Sequence, residues 1–210
     1  MSRVAVVGAG GHAKVIIDLL RAGGHEVIAC LDEGREGQQV NGVPVLGRED
    51  KVLPELIRNG VDALFIALGD NRLRRKVAAN LAGFGLPMIN AIGRSAVLSP
   101  SAVLGQGCAV MEGAVINADA VIGDFAIINT NASVDHDCVI GAYSHIAPGS
   151  ALAGTVEVGS AAFLGVGARV TPGVTIAADA VVGAGAVVVR NIDSPGTWVG
   201  VPARQTSRKD

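Results

Sequence analysis

Aliphatic residues occupy every sixth position of the second half of the chain, without exception from 98 to 188. The series is Leu98, Leu104, Val110, Ile116, Ile122, Ile128, Val134, Ile140, Ile146, Leu152, Val158, Leu164, Val170, Ile176, Val182 and Val188. A compact residue, most often Ala, lies four positions after each of the first fifteen. A period of six cannot keep one face of a 3.6-residue helix buried, so helices are excluded here. Repetition at this period predicts a parallel β-helix of about five coils, with the aliphatic residue and its small partner pointing inward.

Residues 1–90 follow a different pattern, in which short apolar runs alternate with helical ones. The expected strands are Arg3–Gly8, Glu26–Asp32, Val43–Leu46 and Asp62–Leu68, and the expected helices are Ala13–Ala22, Lys51–Asn59 and Arg72–Phe84. Such alternation specifies a small parallel sheet with helices on both faces. The sequence therefore divides into an α/β domain over 1–90, an all-β domain over 91–192, and a tail over 193–210 that leaves the six-residue period.

Composition and charge narrow the possible partners. Half of the 210 residues are hydrophobic but only six are aromatic, so we expect a core of small aliphatic side chains. The net charge of −2 gives no general attraction to nucleic acid or anionic membranes. No apolar run approaches the roughly 18 residues that span a bilayer, so membrane insertion is not expected. Cys30, Cys108 and Cys138 fit neither a disulfide framework nor a zinc site. They indicate small core residues, no bound metal and a cytoplasmic protein.

Seven short motifs resemble those of one enzyme family. They are Gly8–Lys14, Leu68–Asn71 with Arg74, Asn129–Gly141, Ser144–His145, Leu152–Gly154, Phe163–Gly165 and Val199–Arg204. On these motifs the chain resembles the left-handed β-helix (hexapeptide) acyltransferases. More narrowly, it resembles the nucleotide-sugar N-acetyltransferases and sialic acid O-acetyltransferase-like enzymes that carry an N-terminal Rossmann-like domain. The resemblance implies a left-handed β-helix and a homotrimer. It also implies acetyl-coenzyme A in the groove between neighbouring β-helices and a nucleotide held by the N-terminal domain.

Two of the four histidines, His136 and His145, lie in the repeat. A repeat of Ala, Gly and Val gains nothing from histidine, whose burial costs free energy unless it is hydrogen-bonded. One interpretation is a surface histidine at a coil corner. The other is catalysis, because acetyl transfer to an amine needs a base with a pKa near neutrality. We expect His136 to be the general base and Asp137 to orient it, although the family usually has Glu at this second position. The resemblance places Asn129 near the same histidine and His145 at the acetyl donor.

The tetrahedral intermediate of acetyl transfer carries an oxyanion, for which a backbone N–H is a natural donor. Gly154 is the residue that the resemblance offers for this role, and a glycine required by a tight corner is the alternative. No covalent nucleophile is needed. Cys138 occupies one of the small-residue positions of the repeat, and we interpret it as a packing residue.

The binding of acetyl-coenzyme A cannot rely on a basic cradle along the repeat. Between Leu98 and Val189 the one basic residue is Arg169, against seven acidic residues. We therefore expect backbone groups to hold the cofactor, with its phosphates near basic residues that follow the repeat, namely Arg190, Arg204, Arg208 or Lys209. The resemblance adds a further set of contacts: Val166, Gly167, Gly183 and Pro202.

A glycine-rich loop after the first strand predicts a phosphate site, because glycines let the backbone approach an anion at a helix N-terminus. The predicted nucleotide-sugar contacts are Gly8, Gly10, Gly11, His12, Asp32, Asp70, Asn71 and Arg74. The dinucleotide fingerprint G-x-G-x-x-G is incomplete because Ala13 replaces its third glycine, which favours a mononucleotide sugar over NAD. Asp32 is a candidate for ribose hydroxyls. Asp70, Asn71 and Arg74 are candidates for contacts with the base or with a phosphate. The basic residues of this helix also fit a solvated helix face.

Several functions remain open at this point. The leading one is acetyl-coenzyme A-dependent N-acetylation of a UDP- or GDP-linked 4-amino-4,6-dideoxy sugar for surface-glycan synthesis. The second is O-acetylation of sialic acid or a related sugar. A non-catalytic nucleotide-sugar-binding scaffold is the alternative of another class. A γ-type carbonic anhydrase on the same β-helix would need three zinc-binding histidines per site, and the repeat has two.

Overall fold

The computed structural model describes residues 1–206, which form two compact units, Met1–Arg94 and the part of the chain from Ser95 onward. The first unit contains β1 (Arg3–Val7), α1 (Gly11–Ala22), β2 (Glu26–Leu31), β3 (Gln39–Val40), β4 (Val43–Leu46), α2 (Glu49–Arg58), β5 (Ala63–Ile66), α3 (Asn71–Leu81) and β6 (Ala91–Ile92). Short 3₁₀ turns lie at Glu33–Arg35 and Ala82–Phe84. The boundary between the units falls at Arg94, whereas the sequence suggested residue 90.

The sheet of the first unit has the order β3-β4-β2-β1-β5. All its pairings are parallel except that of β3 with β4. Strand β1 is buried from Val4 to Val7, as expected for a central strand covered on both faces. Its two neighbours, β2 and β5, are reached by crossovers in opposite directions. The loops that follow β1 and β5 therefore flank the point where the strand order reverses, which is where open α/β sheets bind ligands.

Helix α1 starts two residues before the expected position, because Gly11 and His12 already belong to it. Its buried face consists of Ala13, Ile16, Ile17, Leu19 and Leu20. Val15 belongs to the same helix but is exposed. The helix thus turns its apolar stripe toward the sheet through residues 16, 17 and 20, and the 3.6-residue period carries position 15 to the solvent side.

The second unit is a β-helix of short strands that recur every six residues. They are β7 (Val97–Leu98), β8 (Val103–Leu104), β9 (Ala109–Val110), β10 (Val115–Ile116), β11 (Val121–Ile122), β12 (Ile127–Ile128), β13 (Ser133–Val134), β14 (Val139–Ile140), β15 (His145–Ile146), β16 (Ala151–Leu152), β17 (Glu157–Val158), β18 (Phe163–Leu164), β19 (Arg169–Val170), β20 (Thr175–Ile176), β21 (Ala180–Val182) and β22 (Val187–Val188). From β7 to β19, each strand pairs in parallel with the third strand after it, as Ile116 does with Val134.

This pairing produces three sheets that form the faces of a triangular prism. The first runs β22-β19-β16-β13-β10-β7, and the second runs β20-β17-β14-β11-β8. The third continues through β21-β18-β15-β12-β9. The aliphatic residues and their small partners form one buried core, which includes Cys108 and Cys138 with no exposed surface. Burial of these two cysteines among aliphatic side chains confirms the interpretation that they are packing residues.

Three rows of left-handed residues mark the three corners of the prism. The Gly167 corner contains Gly113, Asn131, Gly149, Gly167 and Gly185; the His136 corner contains Asp119, Asp137, Thr155 and Gly173; the Tyr143 corner contains Gly107, Phe125, Tyr143, Ala161 and Asp179. Within a row, a backbone N–H donates to the coil before it, as Asp137 N does to Ala118 O at 3.0 Å. Most of these residues are Gly, Asn or Asp, the types that tolerate positive φ.

The tail leaves the six-residue period but extends the third sheet. Strand β23 (Gly196–Val199) pairs in parallel with β21, and β24 (Arg204–Gln205) pairs antiparallel with β23. The Gly183 N–H donates to Trp198 O at 2.7 Å, and the Ala203 N–H donates to Val187 O at 2.8 Å. The tail therefore covers the last coil. Among residues 1–206, no helix has the length and apolar character needed to cross a membrane.

Candidate active site

His136 and Asp137 form a hydrogen-bonded pair at the corner between β13 and β14. The Nδ1 atom of His136 lies 2.7 Å from Oδ2 of Asp137, and more than half of each side chain is exposed. Asp137 has φ of 58°, and this left-handed backbone directs its short side chain back to the preceding residue's ring. An ionised carboxylate only accepts hydrogen bonds, so Nδ1 carries the proton and the neutral ring presents its lone pair at Nε2. The pair thus has the arrangement of an oriented base.

Asp135, which precedes His136 in sequence, also interacts with it. One of its carboxylate oxygens accepts the backbone N–H of His136 at 2.8 Å and the side-chain amide of Asn117 at 2.8 Å. These two bonds hold the pKa of Asp135 below its usual value. The hydrogen bond to Asp137, followed by the charge of Asp135, raises the pKa of His136. The imidazole therefore lies between two carboxylates that favour its protonated form.

The ring of His136 lies against the backbone of Gly154, one coil further on. A Cβ placed on Gly154 would be 2.4 Å from Cε1 and 2.5 Å from Nε2 of His136, a separation that no side chain could accept. The carbonyl of Gly154 accepts a hydrogen bond from the N–H of Gly173 at 3.1 Å. Its own N–H donates to none of residues 1–206. A free peptide donor is therefore close to the lone-pair edge of the imidazole.

His145 lies on β15 and is 8% exposed. Its Nε2 is 3.0 Å from Nδ2 of Asn129, and its ring meets that of Phe163 edge-on, with ring centroids 5.2 Å apart. The oxygen of the Asn129 amide accepts from the backbone N–H of Thr130 at 2.8 Å. This bond fixes the orientation of the amide, so its nitrogen donates to His145.

The expected placement of Asn129 beside His136 is not what the protomer shows, because Asn129 contacts His145 instead. Strand β12 pairs with β15, which brings residues 129 and 145 to adjacent coils at the Gly167 corner. His136 lies half a coil away, between strands of the other two sheets. The two repeat histidines therefore occupy different corners of one protomer.

The expected cofactor contacts are distributed along and near the Gly167 corner. Val166 is 57% exposed, and Gly167 has the left-handed φ of that row. Pro202 precedes Ala203, whose N–H extends the ladder of the last coil. Gly183 packs closely on the tail, since a Cβ there would be 2.8 Å from Cγ1 of Val199. Most of this set forms one continuous edge of the β-helix.

The basic residues near this edge divide into two kinds. Arg169, the one cation within the repeat, donates from Nη1 to the carbonyl of Gly149 at 2.6 Å and so stabilises a corner. Arg190 and Arg204 are exposed and border a cleft of about 210 Å³ beside Trp198 at the end of the β-helix. The other two expected phosphate contacts, Arg208 and Lys209, lie outside the described residues.

In the first unit, α1 begins with an uncapped N-terminus. Its N-cap residue, Gly10, provides no side-chain hydrogen bond, and its first turn contains no acidic residue. Nothing lies within 4 Å of a Cβ placed on Gly10 or Gly11. Helix α3 differs, because the carboxylate of Asp70 caps it by accepting the N–H of Leu73 at 2.7 Å. An open helix N-terminus with glycines is suited to a phosphate group.

The loops around this N-terminus are tightly fixed. Gly8 has φ of 102°, and a Cβ on it would be 3.0 Å from the carbonyl oxygen of Ala67 in the loop after β5. The carboxylate of Asp32 accepts from Ala9 N at 3.1 Å and from Gly34 N at 3.0 Å. Asp32 therefore joins the glycine loop to the turn after β2, and contact with ribose stays a prediction.

Arg74 is 1% exposed, which corrects the expectation of a base- or phosphate-reading side chain or a solvated one at this position. Its guanidinium donates to the carbonyls of Leu68 at 2.8 Å and Gly69 at 3.3 Å, and to the side chain of Asn71 at 2.9 Å. Arg74 and Asn71 thus hold the loop after β5. The Nε2 atom of His12 is buried and has no hydrogen-bond partner among residues 1–206. Burial, and then the charge of Arg74, lowers the pKa of His12 to about 4.

Two features of the site were not anticipated from the sequence. The Asn117–Asp135 bond could have been found, since the two residues are 18 positions apart and therefore adjacent on neighbouring coils. No comparable feature of the sequence indicated that Arg74 is buried. Across residues 1–206, no three His, Cys, Asp or Glu side chains are grouped as a metal site.

Comparisons with known proteins agree with this geometry. The PglD N-terminal domain model matches residues 3–81, and the bacterial transferase hexapeptide model, of six repeats, matches residues 119–154. A His-to-Asn variant of perosamine N-acetyltransferase from Caulobacter crescentus, solved with CoA and GDP-perosamine, is 54% identical over 99% of this chain and 98% of that one, with a TM-score of 0.95. The acetyltransferase domain of PglB from Neisseria gonorrhoeae, solved with acetyl-coenzyme A, is 39% identical over 98% and 99%, with a TM-score of 0.92.

Curated relatives align over shorter stretches. UDP-N-acetylbacillosamine N-acetyltransferase of Bacillus subtilis is 40% identical over 113 residues, which are 53% of this chain and 52% of that enzyme. An uncharacterized mimivirus protein, L142, is 33% identical over 104 residues, which are 20% of its length. The chain thus spans about half or less of the curated relatives it matches.

The fold, the paired corner residues and these similarities define an acyltransferase of the left-handed β-helix class. Within that class, the chain belongs to the hexapeptide-repeat sugar N-acetyltransferases with a PglD-type N-terminal domain. The expectations of a left-handed β-helix after a Rossmann-like domain and of an acyltransferase are confirmed. Solved members of this family hold CoA or acetyl-coenzyme A, as expected for the co-substrate.

Proposed function

We propose that this protein transfers the acetyl group of acetyl-coenzyme A to the amine of a nucleotide-linked 4-amino-4,6-dideoxy sugar, with His136 as the general base. The observation that supports this most strongly is the His136–Asp137 pair, whose ring packs against Gly154 with Nε2 on that side. The similarity at 54% identity to an enzyme solved with GDP-perosamine makes a GDP-linked amino sugar the first acceptor to test. Such a product would serve in surface-glycan synthesis.

The proposed chemistry follows from the two atoms at the His136 corner. The amine nitrogen of the sugar forms a bond to the thioester carbon, and Nε2 of His136 takes the proton that this nitrogen loses. Asp137 stabilises the resulting imidazolium through Nδ1. The N–H of Gly154 donates to the oxyanion of the tetrahedral intermediate. When the carbon–sulfur bond breaks, the thiolate of CoA leaves and receives the proton from His136.

A site that uses both repeat histidines needs two copies of the chain. His136 and the His145–Asn129 pair lie at different corners of one protomer, so one protomer cannot present both to the same acetyl group. We propose a homotrimer in which His136 of one protomer faces the Gly167 corner of its neighbour, with His145 near the acetyl donor. Mixing His136→Asn protomers with His145→Asn protomers should then restore part of the activity, because some interfaces regain both histidines.

The co-substrate is proposed to lie along the Gly167 corner, on the edge formed by Val166, Gly167 and Pro202. Backbone groups would hold its pantetheine arm, since Arg169 is engaged by corner carbonyls. Arg190 and Arg204 are the exposed cations placed to meet its phosphates. The nucleotide sugar is proposed to bind the first unit, with its diphosphate at the N-terminus of α1 and near His12. The three buried cysteines are thiols, which is consistent with a cytoplasmic location.

The substrate assignment is tested by a thiol-release assay. Acetyl-coenzyme A would be offered with GDP-perosamine, with UDP- and dTDP-linked 4-amino sugars, and with free and CMP-linked sialic acid. We expect CoA release with a 4-amino sugar and the N-acetylated product by mass spectrometry. Release with sialic acid alone would favour O-acetylation. Release with none of them, together with tight nucleotide-sugar binding, would favour the scaffold.

A further inference from the structure

The side chain of Asp135 hydrogen-bonds to groups that hold the proposed base in place, not to its imidazole ring. Its carboxylate accepts the backbone N–H of His136 and the side-chain amide of Asn117, each at 2.8 Å. The ring of His136 instead meets Asp137 at 2.7 Å. The two acidic residues that flank His136 therefore act on different parts of it, one on the backbone and one on the imidazole.

The bond to Asn117 ties this carboxylate to the preceding coil. Strand β10 pairs with β13, with Ile116 opposite Val134, so the residues that follow these strands are neighbours. A side chain at 117 can reach the one at 135 without crossing the corner. The hydrogen bond to Asn117 restricts the orientation of the Asp135 carboxylate. This lowers the conformational entropy lost when the same carboxylate binds the N–H of His136.

Several contacts thereby fix His136. Its N–H donates to Asp135, its carbonyl accepts from Thr155 N at 2.9 Å, and its ring lies between Asp137 and Gly154. More than half of this side chain is exposed, so packing alone would leave the ring free to choose other rotamers. Fixed backbone geometry is what directs the exposed imidazole toward Gly154.

We propose that Asp135 is a positioning residue for the proposed base, which fixes the backbone of His136 and places a second negative charge beside the imidazole. This role rests on the proposed function of His136, because a positioning residue needs a base to position. The charged groups that act on the ring are Asp137 and Asp135. At this corner the preceding coil presents Asn117, Ala118 and Asp119, and the following coil presents Gly154 and Thr155. Asp119 carries a charge and the other four are uncharged; the raised pKa of His136 follows from Asp137 and Asp135.

The two contributions of Asp135 can be separated by two substitutions. Asp135→Asn keeps an oxygen that accepts from His136 N and Asn117, but it removes the charge. Asp135→Ala removes both. Asp135→Asn should lower the pKa of His136, because it removes a negative charge that favours the imidazolium. Asp135→Ala should also lower kcat, by about 10-fold or more, with the KM of both substrates unchanged.

The direct measurement is an NMR titration of the His136 imidazole, alongside kcat/KM against pH. In Asp135→Asn, both the titration midpoint and the acid limb should move to lower pH, with the plateau kcat within about twofold of the parent. Glu55→Gln is the matched control, since it removes one exposed carboxylate from α2 of the first unit. It should move neither curve. Far-UV circular dichroism and melting would establish that each variant is folded.

The proposal is overturned by an unchanged His136 midpoint in Asp135→Asn combined with an unchanged kcat in Asp135→Ala. If Asp135→Ala does not fold, the titration of the near-isosteric Asn variant alone decides the electrostatic part, and Asn117→Ala, with a loss in kcat expected, decides the geometric part. The NMR titration needs no substrate. A failure of the positioning role is therefore distinguishable from a failure of the proposed function, which the His136→Asn variant tests.

Discussion

The imidazole of His136 occupies the space that a side chain at Gly154 would need. A Cβ on Gly154 would lie 2.4 Å from Cε1 and 2.5 Å from Nε2 of the ring, so the ring would have to move to admit it. The glycine and the histidine are one coil apart and act as a unit. The ring of His136 packs directly against Gly154, with Nε2 on that side.

Gly154→Ala should therefore displace the imidazole from Asp137 and lower kcat by about 100-fold, because an ångström of misplacement has that order of effect on a positioned catalyst. The nucleotide-sugar KM should change little, since that ligand is proposed to bind the first unit. The measurement is steady-state kinetics with both substrates varied. Gly83→Ala is the matched control, because nothing lies within 4 Å of a Cβ at that position. Equal kcat in both variants would contradict the role of Gly154.

The pH dependence of the reaction should follow the ionisation of His136. A base must be neutral to accept a proton, and the bond to Asp137 raises the pKa of His136, so activity should fall on the acid side of that raised value. Asp137→Asn removes the first cause of the shift. Its acid limb should therefore move to lower pH, while its plateau kcat falls because a neutral amide no longer stabilises the imidazolium that forms in the reaction. An acid limb that stays in place, measured as kcat/KM from pH 5 to 9, would exclude Asp137 from this role.

Arg74 should be required for the fold of the first unit and for nucleotide-sugar affinity. Arg74→Met leaves the carbonyls of Leu68 and Gly69 without their buried donor, which we expect to lower the free energy of unfolding by about 2–4 kcal/mol. The KM for the nucleotide sugar should rise while that for acetyl-coenzyme A stays the same. Urea denaturation and steady-state kinetics would measure the two effects. The exposed neighbour Arg75, changed to Met, should show neither.

Much of this arrangement is accessible from the sequence, for physical reasons that particular residues illustrate. The six-residue period requires an inward-pointing aliphatic side chain at every sixth position, and the core includes residues of this series such as Ile116 and Val134. The His136–Asp137 pair is also accessible, because the two residues are adjacent and one of them is of a type that tolerates the left-handed corner. Local geometry and a strict period are enough for both.

Other parts depend on contacts that a hydrophobic pattern does not encode. Arg74 lies in a polar helix segment, and it is buried because carbonyls of its own loop accept its guanidinium. Asn129 meets His145 because β12 and β15 are neighbours in one sheet, which follows only once the three-sided coil is known. The placement of His136 and His145 at different corners likewise follows only once the three-sided coil is known.

The central claim is that His136 accepts the proton of the attacking amine, and its most direct test is the initial rate of acetyl transfer by His136→Asn. With acetyl-coenzyme A and the preferred nucleotide-linked amino sugar near neutral pH, the account predicts a rate about 10²–10⁴-fold below that of the parent protein. Binding of both substrates, measured separately by calorimetry, should persist. A His136→Asn protein that acetylates the sugar at a rate close to the parent's would contradict the account.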